Sequence, residues 1–339
     1  MREAACRINT EKAPLSYMTR VSGQRLSTGY GLVTHFCLNR TGQIPKEATS
    51  LCTIGDYVGM RLCSRKTPLL HSSNAASLGL FDLRKSAFMS GFFSILEMDA
   101  GMLPPVTPRL EPLGRYHGIP VTTAIGDNQA SFLGTAGFST DAILVNEGTG
   151  GQISVASLNP FTSENIETRP LIDDKFLLVG SSLCGGRAYA VLEAFFRSYA
   201  KAAYGKDEDQ YYVMGQLAEE GVALAGHSSM LVETAFSGTR SDPSKRGSIS
   251  GLSEDNFTPA GLVYGTLSGI ADELFRMWLE IRDSAGVNPQ ALYGAGNAIR
   301  KNRVLKRIFE EKFGLEMQLL PQSEEAACGA AKAGTEILY

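Results

Sequence analysis

Apolar positions along this chain switch between helical and strand spacing, with glycine or proline at most of the changes. The first hundred residues read as mostly helical. From Thr49 to Leu62, the side chains of Leu51, Ile54, Val58 and Leu62 fall on one face and predict a helix buried along that stripe. Pro104, Pro105, Pro108 and Pro112 then mark a connection. Ile119 to Ile125 predicts a buried strand ending at Gly126-Asp127, and Asn128 to Gly137 continues as a helix of small residues.

Ala142 to Asn146 and Gln152 to Ala156 flank a glycine-rich turn and predict a strand–turn–strand unit. A helix from Ala188 to Ala203 follows Gly185-Gly186, and Phe236 to Asn256 reads as a loop. Thr258-Pro259 pairs a cap residue with a proline at the first helical position. The helix it opens runs towards Gly286, with Leu262, Ile270, Leu274, Trp278 and Ile281 at near-helical spacing. Ala291 to Tyr293 is a short strand into Gly294-Ala295-Gly296-Asn297, followed by a helix, a strand at Met317 to Leu320 and a last helix from Glu324. The alanines and glycines at 326, 327, 329, 330, 331 and 333 predict that this helix packs close to a sheet. Strands and helices mixed in this way imply α/β layers.

Composition narrows the classes. With 43% hydrophobic and 20% charged residues the chain is neither disordered nor membrane-like, and a net charge of −3 gives no basic field for nucleic acid. Small anions remain open, because backbone amides bind phosphate without net positive charge. No apolar run is long enough for a membrane span, and Met1 to Arg7 has no apolar core of a secretory signal. Cys6, Cys37, Cys52, Cys63, Cys184 and Cys328 form no CxxC pair and do not group with His35, His71, His117 or His227. They read as reduced, mostly buried thiols of a cytoplasmic protein.

Three segments could carry chemistry. Asp127, at the carboxyl end of a strand, could accept a proton from a substrate hydroxyl, or could simply cap the following helix. Glu147-Gly148-Thr149-Gly150-Gly151 exposes amides that could hold a phosphate, or is a plain hairpin turn. It lacks the GK[ST] ending of a Walker A loop. Gly294 to Ile299 approaches GxGxxG, but Ile299 stands where the third glycine packs helix on strand, which excludes a dinucleotide fingerprint. A flat glycine surface for a nucleotide base and an ordinary strand–helix turn both remain. The basic run Arg300, Lys301, Arg303, Lys306, Arg307 reads as a solvated helix face.

In order, these segments resemble the FGGY carbohydrate kinases, nearest to the sedoheptulokinases among them. Ser27 to Gly31, Thr53 to Val58 and Ser73 to Phe81 are similar to first-domain segments, and Gly126-Asp127-Asn128-Gln129-Ala130-Ser131 resembles the catalytic-aspartate signature. The resemblance implies an actin-like, ribonuclease-H-like α/β fold with two domains, residues 1–136 and 137–339. It implies ATP and Mg2+ as cofactors and a ketose, sedoheptulose first, as acceptor, with xylulose, ribulose or glycerol as alternatives; a non-catalytic nucleotide-binding remnant is the other reading. It makes Asp127 the general base and places Asp127 and Gln129 at the sugar. Gly148, Thr149 and Gly150 become the second phosphate loop, Gly186 a neighbour of the nucleotide, Arg240 (in Phe236 to Arg240) a group approaching it, and Gly294, Gly296 and Asn297 the adenosine loop.

Gly247 to Ser268 is similar to the second FGGY signature, with Gly261, Gly265 and Ser268 departing from it, and Ala295 replaces a common glycine in the adenosine loop. No DxGT-type first phosphate loop is found before Ser22, so the expectation is a first domain that begins partway through. It would expose apolar surface for a second copy or a separate N-terminal fragment to cover, and bind ATP weakly when alone.

Overall fold

The structure, a computed structural model, describes residues 21–26, 28–224, 230–240, 242–321 and 324–336. The readings of Met1 to Arg7, Cys6, Ser27 and His227 lie outside the described residues.

In chain order the first part holds α1 (Gly31–Arg40), α2 (Ile54–Leu62), β1 (Leu70–His71), α3 (Ser72–Leu78), β2 (Phe81–Asp82), β3 (Ala87–Phe88), α4 (Gly91–Ile95), β4 (Val106–Thr107), β5 (Pro112–Tyr116) and β6 (Ile119–Thr122). Among the described residues its strands pair in twos: β1 with β4, β2 with β3, β5 with β6. Then follow α5 (Asp127–Ala136), β7 (Ala142–Glu147), β8 (Gly151–Ser157), β9 (Ile166–Pro170), β10 (Phe176–Ser182), α6 (Gly185–Tyr204) and α7 (Tyr211–Leu224). The chain continues through β11 (Leu231–Glu233), β12 (Ser248–Ser250), α8 (Pro259–Ala285), β13 (Ala291–Ala295), α9 (Asn297–Lys301), α10 (Arg303–Phe313), β14 (Met317–Leu319) and α11 (Glu325–Glu336).

A six-stranded sheet in the order β14-β13-β7-β8-β10-β9 organises the second part. Its neighbours β14, β13 and β7 run parallel, and β7, β8, β10 and β9 pair antiparallel in turn. Both faces are covered, which is why β7 reads as a continuous apolar run rather than an alternating one. Ile143 and Val145 face α8 and α10 in one cluster with Leu267, Ile270, Leu274 and Trp278. Ala142 and Leu144 face the other way, packed with Phe132 and Leu133 of α5 and Ala333 of α11. The helix carrying Asp127 is therefore seated on the second sheet.

Several expectations change. The helix predicted from Thr49 begins at Ile54, because Thr53 and Asp56 form a reciprocal capping box. Its predicted stripe is not a buried face: Ile54 is 79% exposed and Val58 47%, while Asp56 and Gly59 point inward. Gly59 lets the helix approach Leu113 of β5, and that contact decides which face is covered. The strand predicted through Ile125 stops at Thr122 and is a half-exposed arm of a two-stranded hairpin. The alanine- and glycine-rich α11 packs on helix α5 as well as on the sheet-side cluster, its glycine meeting the backbone of the other helix. Of the described cysteines, all free, Cys184 is buried and Cys37, Cys52, Cys63 and Cys328 are half-buried. β9, β10 and α7 are elements the sequence reading passed over, and β12 lies inside the expected loop. Phe176 to Val179 of β10 did offer a signal, a four-residue apolar run, whereas Ile-Glu-Thr-Arg-Pro of β9 did not.

Candidate active site

Two cavities stand out, and the smaller is lined by the turn between β7 and β8. The larger, a cleft of about 1730 Å³, runs between the first part of the chain and the sheet, and Asp127, Asn128 and Gln129 lie on its wall. Gly126 is the residue before the first turn of α5 and Asp127 is the first residue in it. The aspartate is thus not the cap residue, and its carboxylate is exposed to the cleft, accepting only the adjacent Asn128 N–H at 2.6 Å. A methyl at Gly126 would stand 2.5 Å from Gln129 Oε1, so glycine lets the turn close over that side chain.

Gln129 is buried, and its Nε2 donates to the Pro170 carbonyl at 2.9 Å, so its amide holds α5 to β9. Asn128 was not singled out by sequence reasoning and has the more open chemistry. Its Nδ2 donates to Gln152 Oε1 at 2.5 Å, while its Oδ1 is buried without a hydrogen-bond partner. Gln152, the residue just past the glycine turn, continues to Ser181 Oγ at 3.4 Å. Glu273 of α8 also lines the cleft and accepts from Ser182 Oγ at 2.8 Å.

The second cavity, about 880 Å³, is lined by Gly148 and Thr149 of the turn. It brings together Gly148, Thr149, Gly186, Gly296 and Asn297 from three separate places in the chain. The turn is docked on the start of α6: Gly186 N–H donates to Gly148 O at 2.9 Å and Arg187 N–H to Thr149 O at 3.0 Å. Gly296 has φ +88°, and a Cβ there would overlap the Glu147 carbonyl, so glycine is required where the β13 turn meets the β7 turn. Gly150, Gly294 and Arg240 are not on this lining. Gly150 abuts the Ser182 carbonyl and Gly294 packs in the sheet against Met317. Arg240 stands on the wall of the larger cleft, 3.1 Å from Glu167.

The wall of the second cavity also contains residues that the sequence did not reveal. Tyr189 and Tyr211 stack with centroids 6.1 Å apart, and burial, with Tyr211 nearby, pushes the Tyr189 phenol up to about 12. Lys301 and Arg303, read as part of a solvated helix face, line this cavity instead. The rest of that basic run is paired: Arg300 with Glu325, Lys306 with Glu310 and Arg307 with Glu311. An apolar floor, stacked rings, exposed amides and cations fit a nucleotide. Among the described residues no three His, Cys, Asp or Glu side chains group around a metal site, whereas magnesium beside a nucleotide takes only one or two carboxylates with the phosphate oxygens.

Glu147 at the end of β7 is fully buried, and among the described residues neither carboxyl oxygen has a hydrogen-bond partner. Desolvation, and secondarily the charge of Glu273, hold its carboxyl well above the usual range.

Residues 144–335 match the FGGY family of carbohydrate kinases, C-terminal domain. The chain belongs to the FGGY family of carbohydrate kinases. This FGGY chain is 26% identical to human sedoheptulokinase over 322 residues, covering 90% of this chain and 66% of that protein. It is similar in structure to the xylulose kinase from Rhodospirillum rubrum, with a TM-score of 0.84 and 21% identity over 99% of this chain and 69% of that one. The Plasmodium falciparum glycerol kinase with ADP gives a TM-score of 0.81 and 19% identity, over 99% of this chain and 68% of that one. The FGGY chain thus spans about two thirds of the length of human sedoheptulokinase, and its architecture is the actin-like ATPase fold. Among the described residues no helix is long and apolar enough to cross a membrane.

Proposed function

We propose that this chain performs ATP-dependent phosphoryl transfer to a hydroxyl of a small polyhydroxylated substrate in the cytoplasm, with sedoheptulose, giving sedoheptulose 7-phosphate, as the first acceptor to test. The observation that carries the reading is Asp127, an exposed carboxylate at the start of α5 on the wall of the larger cleft, in a chain whose second cavity, lined by Gly148 and Thr149, suits a nucleotide.

Asp127 takes the acceptor's hydroxyl proton as that oxygen bonds to the γ-phosphorus and the phosphorus–oxygen bond to ADP breaks. A positioned carboxylate suffices, because the proton moves late in a loose transition state. The Gly148-Thr149-Gly150 turn meets the transferred phosphates through its Thr149 and Gly150 amides, the Gly148 N–H being held by the Gly150 carbonyl, with the start of α6 behind it. Gly186, Gly294, Gly296 and Asn297 shape the side that holds the adenosine, and Arg240 meets the substrates from the cleft. Asn128 lies beside Asp127 on the cleft wall and meets the sugar from there; Gln129 keeps Asn128 in place through Pro170. Magnesium supplies charge neutralisation at the phosphates when bound.

The test is a coupled kinase assay on sedoheptulose, xylulose, ribulose and glycerol, with nucleotide binding followed by calorimetry. ATP binding together with turnover that Asp127→Asn abolishes supports the reading. Undiminished turnover in Asp127→Asn overturns the assignment of the base. Binding of ATP without phosphorylation of any acceptor identifies a non-catalytic nucleotide-binding protein.

A further inference from the structure

Ser73 lines the larger cleft and His71 lies behind it, and the pair is tied to the peptide that opens the Asp127 helix. His71 is 0% exposed and Ser73 3%. His71 Nε2 lies 3.2 Å from the Pro108 carbonyl oxygen. A carbonyl can only accept, so Nε2 carries the ring proton and Nδ1 is the acceptor. Nδ1 receives the Ser73 N–H at 3.2 Å and stands 2.8 Å from Ser73 Oγ, so the hydroxyl gives its one proton to the ring. The lone pairs of Oγ are then available to Gly126 N–H, 3.0 Å away. The polarity of the whole row is fixed by the carbonyl at its end.

A second row reaches the same backbone. Asn74 Nδ2 donates to the Ala124 carbonyl at 3.2 Å and to Asp56 Oδ1 at 3.2 Å, and Asp56 is bound to Thr53 Oγ1 at 2.6 Å. The residues just before Asp127 are thus gripped at Ala124 O and at Gly126 N–H, both times from α3. No side chain caps α5 itself. The start of the helix is held from outside, by the first part of the chain, while its body is seated on the second sheet.

We propose that His71 and Ser73 are positioning residues for Asp127: the directed row from Pro108 through His71 and Ser73 to Gly126 sets the angle at which the carboxylate meets the acceptor hydroxyl. The proposal rests on Asp127 as the base. A small misplacement of a reacting group costs far more rate than binding, since proximity and orientation supply much of the acceleration.

Ser73→Ala removes the acceptor for Gly126 N–H, and Ser73→Thr keeps the hydroxyl. In the full chain, hydrogen exchange of the Gly126 amide is expected to quicken about tenfold in Ser73→Ala and to stay near wild type in Ser73→Thr, with the core of α8 unchanged in both. Turnover is expected to fall about tenfold in Ser73→Ala with the KM for ATP within about twofold, and Ser73→Thr to restore it. Equal Gly126 exchange in wild type and Ser73→Ala overturns the proposal. So does a Ser73→Ala protein whose turnover, ATP affinity and melting temperature all fall together, which is the signature of a purely structural role. If the wild type shows no turnover, that outcome counts against Asp127 as base, and the exchange comparison still decides whether Ser73 holds Gly126.

Discussion

The α-carbon of Gly329 in α11 rests directly on the carbonyl oxygen of Ala130 in α5, so that a methyl added at residue 329 would overlap that oxygen. Gly134 makes the reciprocal approach to the Glu325 carbonyl. Two helices in contact at their backbones have no side chain to move aside. Gly329→Ala is therefore expected to destabilise the protein by about 1–3 kcal/mol or more, lowering the melting temperature, whereas Ala330→Ser on the exposed side of α11 should leave it unchanged. Equal melting temperatures for the two variants would show that the helices can separate freely.

Asp127→Asn should separate chemistry from folding. The side chain is exposed and its one contact is local, so the loss of a negative charge in the first turn costs a few tenths of a kcal/mol, up to ~1. Loss of the proton acceptor should lower turnover by roughly 10²–10⁴. Circular dichroism melts alongside the kinase assay check both halves.

Gly186→Ala places a methyl 2.5 Å from the Gly148 carbonyl and pushes the turn away from the start of α6. Nucleotide affinity should fall about tenfold, roughly 1.4 kcal/mol, with little change in the acceptor's KM. Titration calorimetry with ATP and ADP reads this directly.

Two buried groups give opposite slopes of stability with pH. Burial, opposed in part by the Pro108 hydrogen bond and by Asp173, lowers His71 from 6.5 to about 4. The unfolded chain then binds a proton that the folded one refuses, so stability is full above pH 6.5 and falls as pH drops towards 4, by about 3 kcal/mol in all. Urea unfolding from pH 7 to 4.5 should follow this loss, and the His71 ring should stay neutral by NMR at pH 5.

Glu147 behaves the other way. Its raised value means that the folded state keeps a proton the unfolded chain releases above the ordinary glutamate range, so stability falls as pH rises towards the folded value. Glu147→Gln removes that slope. The variant should be more stable than wild type at pH 8 and converge with it near pH 5, as denaturant midpoints at the two pH values will show.

Much of the second part was legible because its signals are local. Ala142 to Asn146 is an apolar run bounded by glycine, and Thr258-Pro259 starts a helix whose own side-chain oxygen caps Gly261 N–H. The first part was read less well, since Ile54 and Val58 have helical spacing but no partner to bury them. Which apolar face is covered depends on what the fold brings opposite it, here Leu113 against Gly59.

The sequence by itself determined the family, the order of the glycine turns and the presence of a carboxylate at Asp127, because those are properties of short stretches. Only the tertiary structure decided what each residue faces. It put Gly148, Gly186 and Gly296 on one cavity, moved Arg240 to the other, tied Gln129 to Pro170, left Asn128 Oδ1 unpartnered and buried Glu147 alone. Hydrogen-bond partners, burial and the protonation they impose come from residues distant in the chain, and no local pattern encodes them.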